Sequence, residues 1–82
     1  MKIVYTDYAE ESLADRKISK KLIEDSLKNP DEIVEGKKNR KIAHKIIENK
    51  LLRVVFENEE NTKTYIVITS YYTEPRRYIK WR

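Results

Sequence analysis

A chain of 82 residues has room for one hydrophobic core, so residues 1–82 are read as a single domain. Hydrophobic and charged residues each make up 39%, too polar for a membrane protein and too rich in Ile, Val, Leu and Tyr for a disordered chain. The absence of cysteine excludes disulfides, thiolate catalysis and cysteine-ligated zinc, and one histidine cannot furnish a histidine-rich metal site.

Met1-Lys2-Ile3-Val4 runs into a strand-like pattern and not into a signal peptide, and no apolar run approaches membrane length. A cytoplasmic location, with no membrane partner, is the expectation. Lys2 to Thr6 reads as a first strand. Asp7, with Glu10 three residues on, resembles a capping box that starts a helix running to Arg16 or Lys17. Ser19 caps a second helix, with Ile18 and Ile23 as its hydrophobic staple and Leu22, Ile23, Ser26 and Leu27 as its apolar face. Asn29-Pro30 stops it.

From there the period changes to two. Glu32 to Glu35 is a short strand ending at Gly36. Lys41 to Glu48 and Leu51 to Asn58 are strands flanking a two-residue turn at Asn49-Lys50. Thr64 to Thr73 is almost wholly β-branched or aromatic and apolar at both parities, which suggests a central strand covered on both faces. Pro75 ends it. The closing segment then alternates, with Arg77, Ile79 and Trp81 on one side and Arg76, Tyr78, Lys80 and Arg82 on the other. The order β-α-α-β-β-β-β with a C-terminal extension defines an α+β domain, its helices early and its antiparallel strands late.

Charge is segregated along the chain. Net charge is +4, but residues 1–35 are net −3, residues 36–53 net +6, residues 54–75 net −3 and residues 76–82 net +4. Two basic blocks between acidic ones suit a one-sided positive surface if the fold joins them; solvated lysines are the alternative.

With Asn49-Lys50 as the turn, cross-strand partners have numbers summing to about 99, as strand pairing dictates. Ala43, Lys45, Ile47, Leu52, Val54 and Phe56 then share the face that meets the helices. Ile42, His44, Ile46, Arg53, Val55 and Glu57 share the other, with His44 and Arg53 diagonal neighbours. Such a pair suits an anion: arginine grips phosphate bidentately and histidine moves protons near neutrality. Alternatively His44 caps the core edge and Arg53 pairs with Glu57 or Glu48. Arg16, close to the apolar stripe of the first helix, either holds Asp15 and the helix-end carbonyls or reaches over the sheet edge. No nucleophile motif, glycine-rich phosphate loop or acidic metal cluster is present; Asp31 and Glu32 point to opposite sides of an extended segment. No cofactor or metal is therefore expected. The inventory of Arg, Lys, His and Tyr suits RNA cleavage through the substrate's own 2′-hydroxyl.

"IVYTDYAEESLADRKIS", "LIEDSLKNPDEIVEG" and "LLRVVFENEENTKTYIVITSYY" together resemble a family of small prokaryotic proteins described as a domain of unknown function. The resemblance groups the chain with RelE/ParE- and BrnT-like toxins. It implies two helices on a curved antiparallel sheet of four to five strands, and metal-independent endoribonuclease activity neutralised by an antitoxin. Its partners would be RNA, ribosome-bound mRNA included, and a cognate antitoxin protein. Arg16 matches the family's helix-end arginine, Thr69 and Tyr71 its last-strand motif, and Lys41, His44 and Arg53 approximate its basic positions. Tyr8 stands where the family has a histidine. A tyrosine, with an ordinary pKa of about 10, is a poor base near pH 7, which leaves that role to His44.

The resulting catalytic set is His44, Arg53, Arg16, Tyr71 and Tyr8. The nucleic-acid-binding set is Lys41, Lys45, Thr69, Arg76, Arg77, Tyr78, Lys80 and Arg82. A non-catalytic RNA- or antitoxin-binding module, or a ParE-like poison of a protein target, are the alternatives.

Overall fold

The computed structural model describes residues 2–77, for Arg77 the backbone alone. Its elements are β1 (Lys2–Tyr5), α1 (Asp7–Arg16), α2 (Lys20–Lys28), β2 (Glu32–Glu35), β3 (Lys41–Ile47), β4 (Lys50–Glu59), β5 (Thr64–Thr73) and one 3-10 turn (Pro75–Arg77). The five strands form one mixed sheet in the order β1-β5-β4-β3-β2, antiparallel except for the parallel β1–β5 pair. The α+β architecture and its β-α-α-β-β-β-β order are those the sequence predicts. Among the described residues no helix is long and apolar enough to cross a membrane.

Both helices lie on one face. Ala9 and Leu13 of α1, and Ile23 and Leu27 of α2, are buried with Ala43, Leu52, Val54, Phe56 and Val67 of the sheet. Ser19 caps α2 as expected, its hydroxyl accepting from the Leu22 amide at 3.1 Å. The cap of α1 is one residue earlier than expected. Thr6, not Asp7, holds the Ala9 amide at 3.0 Å, and the same hydroxyl donates to the Ile68 carbonyl at 3.2 Å. One side chain thus caps the helix and grips β5, while Asp7 occupies the first helical turn, where the helix dipole favours a carboxylate.

The β3–β4 hairpin turns at Glu48-Asn49, not Asn49-Lys50: Ile47 pairs with Lys50, and Glu48 takes the left-handed φ of 57°. Partners therefore differ by two residues from the expected register. A slip of two returns every side chain to the same face, so the two predicted faces hold while His44 moves from diagonal to directly opposite Arg53.

β5 departs further from expectation. It is an interior strand, between β1 and β4, as expected, but it is half-buried at most positions instead of covered on both faces. Its buried residues are Thr64, Val67 and Ser70, and Val67 and Ser70 share a face although three apart because the pairing shifts between Val55 and Phe56. Val55 faces Thr69 but Phe56 faces Val67, so Ile68 is an inserted residue, a β-bulge. The bulge lets Val67 join the helix-side core and sends Tyr71 to the opposite face, beside Arg53. Just beyond Thr73, Arg76 and Arg77 lie in a 3-10 turn (Pro75–Arg77), to which proline's fixed φ is suited, and not in the alternating pattern expected of them. The calls on Tyr78, Ile79, Lys80, Trp81 and Arg82 lie outside the described residues.

Candidate functional site

On the face away from the helices, four adjacent strands each bring one polar side chain to the same rung. Glu32 of β2 stands opposite His44 of β3, His44 opposite Arg53 of β4, and Arg53 opposite Tyr71 of β5. The side chains bond in that order. Glu32 Oε2 lies 3.0 Å from His44 Nδ1; Arg53 Nε–H donates to His44 Nε2 at 3.1 Å; Arg53 Nη1–H donates to the Tyr71 hydroxyl at 2.7 Å. The Arg53 guanidinium carbon is also 5.5 Å from the Tyr71 ring centroid, a cation–π contact.

Local folding explains how Glu32 comes to be there. In the β2–β3 connection Lys38 and Asn39 both take left-handed φ values, 56° and 64°, the pattern of a tight primed hairpin turn. The Gly36 amide donates to the Arg40 carbonyl at 2.8 Å, and a Cβ at Gly36 would stand 3.1 Å from that oxygen, which favours glycine there. At the other end of β2 the Asp31 amide donates to the His44 carbonyl at 2.8 Å, and the Asp31 carboxylate accepts from the Ile46 amide at 2.7 Å. Asp31 thus grips the backbone of β3 while Glu32 reaches its imidazole.

Burial sharpens the chemistry. His44 is 1% exposed and Arg53 8%, whereas the Glu32 side chain is 43% exposed. A guanidinium only donates, so the imidazole nitrogen that faces Arg53 carries a lone pair, and the proton of neutral His44 sits on Nδ1 toward Glu32. The result is a carboxylate, an imidazole in one tautomer, a guanidinium and a phenol in sequence. Such a row can hold an anion at Arg53 and exchange protons at His44 and Tyr71. Among the described residues, no three His, Asp or Glu side chains gather as a metal-binding set.

Three of the five expected catalytic residues therefore converge: His44, Arg53 and Tyr71. Arg16 and Tyr8 do not join them. Arg16 reaches over the sheet edge, the second of its two readings, and its Nη1–H donates to the Ser70 carbonyl at 3.4 Å, past Val67, where the β1 pairing ends. Tyr8 is 59% exposed on the first turn of α1. Glu57 is engaged by Arg40, at 3.6 Å. Of the binding set, Lys41 and Arg76 are exposed. Lys45 is instead committed to the fold, its ammonium donating to the Asn29 carbonyl at the end of α2 at 2.8 Å. Thr69 bonds the Ser12 hydroxyl of α1 at 3.0 Å.

Glu32 was not among the expected site residues. A hairpin centred on Lys38 pairs residue 32 with residue 44, but that centre is carried by Lys-Asn in place of the Asn-Gly that marks such turns most clearly. Elsewhere, burial, then Glu24 and Glu10, push the Tyr5 phenol up, and the Lys28 hydrogen bond holds the Glu24 carboxyl down.

Fold and site together define a small α+β domain with helices on one sheet face and, on the other, a polar row whose two middle members are buried. Within that class the chain belongs to a family: residues 5–72 match the model of a domain of unknown function, DUF4258. The matched stretch spans all four members of the row and ends before Arg76. No curated protein and no solved structure matches the chain.

Proposed function

We propose that this chain is a toxin-like, metal-independent endoribonuclease grouped with the RelE/ParE and BrnT-like toxins, acting in the cytoplasm and held in check by a cognate antitoxin. The observation that carries this reading is the bonded sequence His44–Arg53–Tyr71, which joins a base, a phosphate-binding cation and an acid on one rung. Arg53 turns its guanidinium from the imidazole to the scissile phosphate. His44 Nε2, released from Arg53, takes the proton of the 2′-hydroxyl. The 2′-oxygen bonds to phosphorus as the bond from phosphorus to the 5′-oxygen breaks, and Tyr71 gives its proton to that leaving oxygen. The products are a cyclic phosphate and a 5′-hydroxyl. The imidazolium then releases its proton and Tyr71 regains one from solvent. Arg76, exposed just after the strand that carries Tyr71, adds a sequence-independent phosphate contact; Lys41 is exposed too, but its partner Phe56 puts it on the helix side of the sheet.

The test is incubation of RNA with the purified chain in EDTA, alongside R53A, Y71F and H44A. Each variant should slow cleavage by about 10²–10⁴-fold, the usual contribution of a positioned acid or base. Absence of cleavage, or cleavage indifferent to all three substitutions, overturns the reading.

One observation favours a second reading, non-catalytic binding of RNA on the same surface: His44 is buried and both its nitrogens are engaged. That reading expects salt-sensitive RNA binding without turnover, each lost phosphate contact flattening the salt slope by about one unit.

A further inference from the structure

We infer that Glu32 is a positioning residue, which holds the His44 proton on Nδ1 and thereby keeps the Nε2 lone pair aimed along the row at Arg53 and Tyr71. As a statement about the reaction it rests on the proposed function; as a statement about the imidazole it stands on geometry alone.

Three observations carry it. The carboxylate oxygen is 3.0 Å from Nδ1, at hydrogen-bond distance, and comes from the strand directly paired with that of His44. The opposite nitrogen faces an Arg53 N–H at 3.1 Å, so the two neighbours demand the same tautomer. The strand that carries Glu32 is also pinned at both ends, by the Asp31 bonds to His44 and Ile46 and by the Gly36 bond to Arg40. That fixes the carboxylate against an imidazole which is itself 1% exposed. A pair retained only for stability would explain less, because a carboxylate 43% exposed contributes little through charge alone. What it does supply is direction: a base whose far N–H is held by a carboxylate presents its lone pair in one place, the arrangement that orients bases in nucleophilic and acid–base sites generally.

Among the described residues, the charged groups nearby are committed elsewhere. Lys45, next along β3, is bound to the Asn29 carbonyl, and Asp31 is bound to the Ile46 amide. The neighbours of Glu32 and His44 along their own face of β2 and β3 are Val34, Ile42 and Ile46, which accept no proton.

The chain has one histidine, so an imidazole nitrogen spectrum of the full 15N-labelled protein contains a single residue's signals. Without RNA, the wild-type chain should show the proton on Nδ1 and an unprotonated Nε2. E32Q retains an acceptor oxygen and should preserve that pattern. E32A should lose the protected Nδ1–H signal to exchange with water, while its backbone amide spectrum stays folded, since Glu32 is exposed on an edge strand. A proton on Nε2 in the wild type, or identical imidazole spectra for the wild type and E32A, overturns the inference. In the cleavage assay E32A should lower kcat by about 10–100-fold, the usual cost of losing a group that orients a ligand imidazole, with KM unchanged and partial rescue in E32Q. If the wild type cleaves but E32A matches it in kcat, the positioning role falls. If the wild type does not cleave, the proposed function falls, and the spectra still decide what Glu32 does to His44.

Discussion

The two faces of this sheet are built from the same strands and closed by opposite means. Toward the helices, Ala43, Leu52, Val54, Phe56 and Val67 pack against Ala9, Leu13, Ile23 and Leu27, and burial of apolar surface is enough to hold them. On the other face His44 and Arg53 are just as inaccessible, yet they are polar and are satisfied through a chain of hydrogen bonds. Taking an arginine out of water costs several kcal/mol before its partners offset the loss. Apolar residues of similar size would close the second face more cheaply. The difference teaches that the first face answers to folding, while the second buries polar groups that apolar packing alone does not call for.

The largest expected effect breaks the first face. Phe56 is 2% exposed and stacks on Tyr65 with ring centroids 5.3 Å apart. Phe56→Ala should cost about 3–5 kcal/mol, a large part of the roughly 4–12 kcal/mol available to a domain of this size. Urea denaturation followed by circular dichroism measures it. The corresponding break on the second face is Arg53→Met, which strips a partner from His44 and from Tyr71 and should cost about 1–3 kcal/mol. Combining it with His44→Leu should recover most of that loss or exceed the wild type, because replacing a buried polar set by apolar groups of similar volume is often neutral or stabilising. The double variant should nevertheless abolish RNA cleavage. If it remains as destabilised as the single one, the row is a folding element, and both faces answer to folding.

What could be read from the chain follows the same division. The helix-side face rests on alternation, and alternation survives a register slip of two, so Ala43, Leu52, Val54 and Phe56 were assignable before the turn was known. The row depends on exact partners and so on three local choices that periodicity does not carry. Glu48 takes the left-handed position although Asn49 is the better-suited residue. Ile68 is inserted as a bulge within a uniformly β-rich run, which hid the phase of Tyr71. The β2–β3 connection turns on Lys38-Asn39, and this is what brings Glu32 to His44. His44, Arg53 and Tyr71 were legible as chemistry, and His44 and Arg53 as diagonal neighbours; their direct pairing and the place of Tyr71 beside them were not. Arg16 was legible as a cation near the apolar stripe, and its target, a carbonyl of β5, became visible only with the strand order.

Smaller effects sharpen the contrast by perturbing those local choices. Thr6 caps α1 and also grips the carbonyl of the inserted Ile68. Thr6→Ala should cost about 1 kcal/mol as a lost cap, and Thr6→Ser, which keeps the hydroxyl, should restore most of it in the same denaturation assay. A cost well above that range would mean that the bulge, and with it the phase that separates Val67 from Tyr71, depends on this side chain. In the opposite direction, Glu48→Gly relieves a left-handed non-glycine residue at the hairpin that sets His44 against Arg53. It should stabilise by about 0.5–1 kcal/mol, strain relief being partly offset by the greater freedom of glycine in the unfolded chain. Cleavage should be unchanged if the register is retained.

The smallest effect compares two carboxylates that each meet a nitrogen. Glu32 meets a buried imidazole; Glu24, on the exposed side of α2, accepts from Lys28 one helical turn away at 2.8 Å. The Lys28 hydrogen bond and charge hold the Glu24 carboxyl below its ordinary value. A carboxyl lowered in the folded state adds stability above its unfolded range, and that contribution fades as pH falls through the folded value. Glu24→Gln should therefore lower the melting temperature slightly at neutral pH, less at raised salt, and the difference should vanish as pH falls through the lowered folded value of the Glu24 carboxyl. It should leave the His44 imidazole spectrum untouched at every pH. Glu32→Ala inverts that pattern, with little change in melting temperature but a changed imidazole signal, because an exposed carboxylate matters here for what it orients more than for the charge it carries.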